Sequence, residues 1–161
     1  MGATEVAIVG AGFAGSEAAW QLARRGHPVR LYEMRPQRMT EAHQGGDCAE
    51  LVCSNSFKST SLENAHGLLK AELALQGSLI LAVARESAVP AGQALAVDRE
   101  LFAREVTARL EAHPLIALCR EEVRSIGTLL DEVRHVIVAS GPLTSPALAE
   151  ALRAYVGEGT L

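Results

Sequence analysis

An α/β fold of the Rossmann type, a parallel sheet with flanking helices, is predicted by three features near the start of the chain. An apolar run, Val6-Ala7-Ile8-Val9, leads into Gly10-Ala11-Gly12-Phe13-Ala14-Gly15, and a second apolar run, Val29-Arg30-Leu31-Tyr32, ends in Glu33. Together they read as strand, tight turn, helix and strand. Gly10 lets the chain turn sharply, Gly12 lets backbone N–H groups approach a pyrophosphate, and Gly15 lets the helix pack close to the strand. An anion then sits at a helix N-terminus, where unpaired amides and the positive end of the helix dipole favour negative charge. Glu33 lies eighteen residues beyond Gly15. A carboxylate there can accept both ribose hydroxyls of an adenosine and would repel a 2′-phosphate, which favours FAD or NAD over NADP. Gly10, Ala11, Gly12, Phe13, Ala14, Gly15 and Glu33 are therefore the candidate cofactor-binding residues. The plain alternative is a ligand-free glycine turn with Glu33 as a solvated strand end.

The first helix is expected over 13–25, with Ala18, Ala19, Leu22 and Ala23 on its apolar face and Gly26 suited to a left-handed C-cap. Gly26-His27-Pro28 turns the chain into the second strand. Residues 34–61 show neither helical nor alternating period, yet hold two glycines, two cysteines and a Ser/Asn/Thr run. A loop of that length is more often a functional cover or a disordered link than a passive connector. Helical character returns over 62–86, broken at Gly77, and its many leucines could cover the sheet or face a partner. A turn at Val89-Pro90-Ala91-Gly92 precedes a short strand at 94–97. Asp98 then caps a helix over 99–112, with Leu101, Phe102, Val106 and Leu110 on one face.

Strands are expected at 115–118 and 122–126, followed by a buried strand at 135–139 that ends in Ser140-Gly141-Pro142. A glycine at the carboxyl end of a parallel strand beside the first turn would let the backbone come near a dinucleotide; a turn glycine before proline explains Gly141 equally well. Ser145, Pro146 and Gly157 frame a terminal helix. The chain reads as one domain, 1–161, with a loop and helical insertion at about 34–92.

A formal net charge of −4 excludes nucleic-acid binding through a broad positive field but permits a local patch. Arg24, Arg25, Arg30, Arg35 and Arg38 form such a cluster in sequence; the plainer reading is helix-dipole complement and solvated charge. No apolar run is long enough to span a bilayer and no signal peptide is visible, so a cytoplasmic location is expected. Cys48, Cys53 and Cys119 suit neither a disulfide framework nor a zinc site. In Ala49-Glu50-Leu51-Val52-Cys53-Ser54-Asn55-Ser56 a thiol sits among short polar groups that could lower its pKa, although most lone cysteines are inert small hydrophobes. The adjacent Glu121 and Glu122 read as a solvated strand edge.

Several segments resemble the folate-dependent, FAD-containing tRNA uracil-5-methyltransferase family. They are Gly10 to Gly15 with Ser16-Glu17-Ala18-Ala19-Trp20, Leu31-Tyr32-Glu33-Met34-Arg35-Pro36, the cysteine block Ala49 to Ser56, Gly67-Leu68-Leu69-Lys70, Val89 to Arg99, and Gly141-Pro142-Leu143-Thr144-Ser145. The cysteine block is the specific one; the glycine pattern alone also suits the related flavoproteins of wobble-uridine modification, NAD-linked oxidoreductases or a noncatalytic dinucleotide-binding module. The resemblance implies a glutathione-reductase-like FAD-binding domain, incomplete at its C-terminus because family members are much longer. It also implies methyl transfer to C5 of the tRNA T-loop uridine, with methylenetetrahydrofolate as carbon donor, FAD as electron carrier and NAD(P)H as reductant. Cys53 matches one of the two family cysteines and takes a role in C5 proton removal or in assisting the methylene transfer; Gly141 joins the cofactor-binding set. No metal is implied.

Overall fold

In the computed structural model, which describes residues 6–157, four parallel strands form the main sheet: β1 (Val6–Val9), β2 (Val29–Tyr32), and, after a long excursion, β6 (Ile116–Cys119) and β7 (His135–Val138). Their order is β6-β2-β1-β7, with Val6 opposite Val29 on one side and His135 on the other. Helix α1 (Phe13–Arg24) makes the first crossover. The chain moves outward from β1 to β2 to β6 and then returns to β1's other flank, so the strand order reverses between β1 and β7. That reversal opens a crevice at the carboxyl ends of these two strands.

Alternation along β1 assigns the layers. Val6 and Ile8 join α1, α3 (Leu79–Glu86) and α4 (Arg99–Ala112) in the larger core, where Phe102, Val106 and Leu110 are buried. Ala7 and Val9 face α5 (Ile126–Leu130) and α6 (Pro146–Val156), meeting Ile126, Leu129 and Leu148. Both faces of the central strand are thus covered, as a parallel sheet requires.

The excursion between β2 and β6 carries more order than its sequence shows. Within it β3 (Ser56–Ser59), β4 (Ala88–Val89) and β5 (Ala94–Val97) form an antiparallel sheet of order β3-β5-β4. The helical stretch breaks at Gly77 (φ +68°) into α2 (Ala65–Leu75) and α3, bent by 110°. α3 lies in the core, whereas α2 reaches it through half-buried Leu73 and Ala74 and leaves Leu68, Leu69 and Leu75 exposed. No single helix among the described residues is long and apolar enough to cross a membrane.

Three expectations need correction. No strand forms over 122–126: the Glu122 carboxylate pairs with Arg38 at 2.8 Å, and the Ser125 side chain accepts the Gly127 N–H, which starts α5 instead. Strand β7 is an edge strand with His135, Ile137 and Val138 exposed, because only β1 pairs with it. The arginines form no patch, and the plainer reading, dipole complement and solvated charge, holds for Arg25 at the end of α1 but not for Arg35. Arg24 donates to the Gly77 carbonyl, Arg25 to that of Gln21, Arg30 pairs with Glu132, and Arg35 is buried.

Candidate functional site

The turn after β1 is shaped by its glycines, each for a different reason. Gly10 has φ +99°, and a Cβ there would lie 2.7 Å from the Ala139 carbonyl oxygen of the neighbouring strand end. At Gly15 a Cβ would meet the Gly10 carbonyl oxygen at 1.8 Å, so glycine is what allows α1 to sit against the turn. Gly12 differs, since a Cβ there meets nothing within 4 Å. Neither its backbone, with φ −70°, nor protein packing requires glycine at this position. The direction a side chain would take is open space beyond the start of α1.

That helix start is bare. The N-termini of α2 to α6 are capped by the side chains of Asn64, Ser78, Asp98, Ser125 and Ser145, whereas α1 begins at Gly12 without a side-chain cap. Its first-turn amides have no intrahelical acceptors and point outward with the positive end of the dipole. They suit an anion held by main-chain hydrogen bonds.

A cavity of about 290 Å³ extends from this point along the carboxyl ends of the four parallel strands. Of the residues singled out from sequence, Gly10, Gly12, Phe13, Ala14, Glu33 and Gly141 line it together. Gly141 stands there with φ +65° and open space around its Cβ direction, in a single 3-10 turn (Gly141–Leu143). Ala11 and Gly15 do not line the cavity; they lie behind it and shape the turn. Ala11 is fully buried, donates its N–H to Glu33 Oε2 at 3.1 Å, and accepts hydrogen bonds from Ser16 Oγ and the Ala49 N–H.

Glu33 is not a solvated strand end. It is 6% exposed, and Arg35, itself 2% exposed, wraps it. Oε1 accepts the Arg35 backbone N–H at 3.0 Å and Nε–H at 2.9 Å, while Oε2 accepts Arg35 Nη2 at 3.2 Å and the Ala11 N–H. Burial by itself would raise the carboxyl's pKa. The Arg35 side-chain and backbone hydrogen bonds, its charge and the Ala11 N–H outweigh burial and hold Glu33 below the usual carboxylate range. The group is ionised at neutral pH and faces the cavity.

Sequence reasoning passed over the other polar residues of this region. Arg35 also reaches Glu50 at 2.9 Å, and Arg120 donates to the carbonyls of Arg35 and Gly46. His43 lines the cavity with its Nδ1 2.6 Å from Thr40 Oγ1; burial, and then the Arg35 charge, lower its pKa. Glu50 lies fifteen residues from Arg35 across a segment without period, so no local signal in the chain announces the pair.

The three cysteines differ in surroundings. Cys53 is exposed and lies outside the cavity, although its neighbour Val52 is part of the wall. Cys48 is buried beside Thr107, and burial pushes its thiol up to about 11. Cys119 is half-buried, and burial raises its thiol pKa too. Among the described residues no group of three or more His, Cys, Asp or Glu side chains could hold a metal ion.

Comparison with known proteins agrees with this geometry. The family model described as "GIDA: Glucose inhibited division protein A" matches residues 5–151. Proteins named methylenetetrahydrofolate–tRNA-(uracil-5-)-methyltransferase TrmFO are similar. That of Moorella thermoacetica is 60% identical over 153 residues, covering 95% of this chain and 34% of the relative. Those of Pelotomaculum thermopropionicum and Aquifex aeolicus are 57% and 52% identical, over 97% and 98% of this chain. The chain spans about a third of the length of these relatives. The solved structure of Aquifex aeolicus GidA superimposes with a TM-score of 0.60 over 76% of this chain and 20% of its own, at 16% identity, which is a likeness of fold.

Proposed function

The chain belongs to the glucose inhibited division protein A family, and from that premise we propose that it is the FAD-binding part of a methylenetetrahydrofolate-dependent tRNA uracil-5-methyltransferase. The observation that carries the cofactor reading is Gly12: a glycine that the protein's own packing does not need, at an uncapped helix start, facing a cavity shared with Glu33 and Gly141. A dinucleotide supplies the missing reason. The reading of the reaction is supported by the relatives' names and by the Cys53 block.

The residues present fit the group. The amides of the first turn of α1 would hold the diphosphate, and Gly141 would let the β7 end approach without a side chain between; Glu33, whose two oxygens already accept four protein hydrogen bonds, would take a ribose hydroxyl by exchanging one of them, the 3.2 Å bond from Arg35 Nη2 being the longest. When bound, the flavin supplies the electrons that reduce a transferred methylene, with NAD(P)H as its reductant. The target is C5 of the T-loop uridine in tRNA, in the cytoplasm. Cys53 is exposed where a large substrate can reach it, and its part is to take the proton from C5 as the new carbon–carbon bond is completed. Buried Cys48, whose thiol stays protonated at neutral pH, is unsuited to that task.

Two experiments test this. FAD titrated into the chain should quench flavin fluorescence with saturation; binding of NAD but not FAD would replace the flavin reading by an NAD-linked one. For the reaction, residues 5–151 should replace the matching third of the Moorella thermoacetica relative. The chimera should methylate tRNA uridine, and its Cys53→Ala form should retain flavin absorbance without turnover. Retained turnover would remove Cys53 from the chemistry.

A further inference from the structure

Cys53 is exposed, yet the segment that carries it is fastened to the first βα turn on both arms. Before it, the Ala49 N–H donates to the Ala11 carbonyl at 2.8 Å, with Ala49 in the left-handed region at φ +52°. After it, Phe57 of β3 stacks on Phe13 at the start of α1, with centroids 5.5 Å apart and planes 9° from parallel. A third tie is ionic. Arg35 Nη1 donates to Glu50 Oε2 at 2.9 Å and to the Gly45 carbonyl at 3.3 Å, and Glu50 in turn accepts the backbone N–H groups of Gln44 and Gly45. The other edge of the same guanidinium, Nε and Nη2, is spent on Glu33.

We propose that Arg35 is a positioning residue for two sites at once: it fixes the carboxylate of Glu33 toward the cavity and, through Glu50, anchors the loop that presents Cys53. The ribose half of this statement rests on the dinucleotide reading above. A planar fork suits the task, because its two edges address two carboxylates in one plane; a lysine offers one point charge and cannot do both. Arg120, which donates to the carbonyls of Arg35 and Gly46, brings a second guanidinium to the cluster, so the two carboxylates are matched in formal charge. The other titratable groups near this cluster are His43 and Cys48.

The test uses the 161-residue chain and three variants, Arg35→Lys, Arg35→Met and Glu50→Gln. FAD affinity is read from pH 6 to 9 by flavin fluorescence, and opening of the Cys53 loop by amide hydrogen exchange with mass spectrometry. Arg35→Lys should weaken FAD by about tenfold or more, the scale of a lost charged hydrogen-bond pair. Arg35→Met should do the same, and its affinity should fall further than the wild type's as pH drops. With its guanidinium gone, the burial of Glu33 dominates and the carboxyl protonates nearer neutrality. Fold loss alone would not change a pH profile in this way. Glu50→Gln keeps the Glu33–Arg35 pair, so FAD affinity should stay within about threefold while exchange of the hydrogen-bonded amides of Gln44, Gly45 and Ala49 accelerates by about fivefold or more, the sign of a loosened loop. Should the Arg35 variants fail to fold, Glu50→Gln still decides, since unchanged amide exchange in its loop overturns the proposal. So does an Arg35→Met protein with wild-type affinity and pH profile. If the wild type binds no FAD, the cofactor reading falls, and the amide-exchange result, which needs no ligand, still judges the loop anchor.

Discussion

Adding one methyl group at Gly12 and one at Gly15 should have opposite consequences. At Gly15 the new Cβ lands 1.8 Å from the Gly10 carbonyl oxygen and 3.4 Å from Ala139 Cβ, between the backbone of the turn and a side chain at the end of β7. To restore ordinary contact, α1 has to move by about 1.5 Å away from a sheet to which it is packed at close to crystal density. The cost belongs at or above the top of the about 1–3 kcal/mol that over-packing exacts, which lowers a urea midpoint by about 1–2 M at typical slopes. At Gly12 the Cβ meets no atom within 4 Å and φ is −70°, so the fold tolerates it. A small loss at the N-cap is offset by reduced freedom of the unfolded chain, and stability should change by less than about 0.5 kcal/mol. The methyl group does fill the space in front of the α1 amides, so FAD should bind at least about tenfold more weakly, about 1.4 kcal/mol. Urea unfolding followed by circular dichroism, with a FAD titration of each folded variant, separates the two effects. A Gly12→Ala protein that binds FAD like the wild type would refute the assignment of this turn to the diphosphate.

Other outcomes follow from the same contacts. Iodoacetamide should label Cys53 before Cys48, which is fully buried and should react only on unfolding; peptide mass spectrometry gives the order. The Cys48 thiol is raised from 9.0 to about 11, so the stability it contributes is intact below pH 9 and is lost as pH climbs toward 11, by about 3 kcal/mol in all. Alkaline unfolding of Cys48→Ser, compared with the wild type, checks this. Glu33 is held below 4.5, so its contribution is present above that pH and disappears as the solution is acidified through its lower folded value. Acid titration of stability should therefore be shallower in Glu33→Gln. Asp98→Ala removes the acceptor of the Leu101 N–H at the start of α4 and should cost about 1 kcal/mol in urea unfolding.

Much of the architecture could be read directly from the residues, because strong local signals announce it. Val6-Ala7-Ile8-Val9, the glycine turn and the Ser145-Pro146 helix start each state their geometry within a few residues. The break at Gly77 and the Asp98 cap are of the same kind. Where the signal was not local, reading failed. Strand β3 lies in a Ser/Asn-rich run and exists because β5 supplies its partners, with a register shift between Ser56 and Ser59, where Lys58 has φ +66°, that no alternation marks. A strand is expected at 122–126, but its apolar residues Val123 and Ile126 do not alternate, and the carboxylate of Glu122 is bound by Arg38, eighty-four positions away. Six of the candidate cofactor residues converge on one cavity, while the network that orients the most important of them, Glu33, depends on Arg35 and Glu50 meeting across an aperiodic loop. An arginine in a cluster of arginines looked like surface charge; its burial is a tertiary fact.

The most direct test of the central claim is an amide chemical-shift titration of the ¹⁵N-labelled chain with ADP, the half of FAD that the turn would hold. The amides of Gly12, Phe13 and Ala14, with those near Glu33 and Gly141, should shift together and saturate at one dissociation constant. Shifts confined to another part of the chain, or none at these amides at saturating ADP, would contradict it.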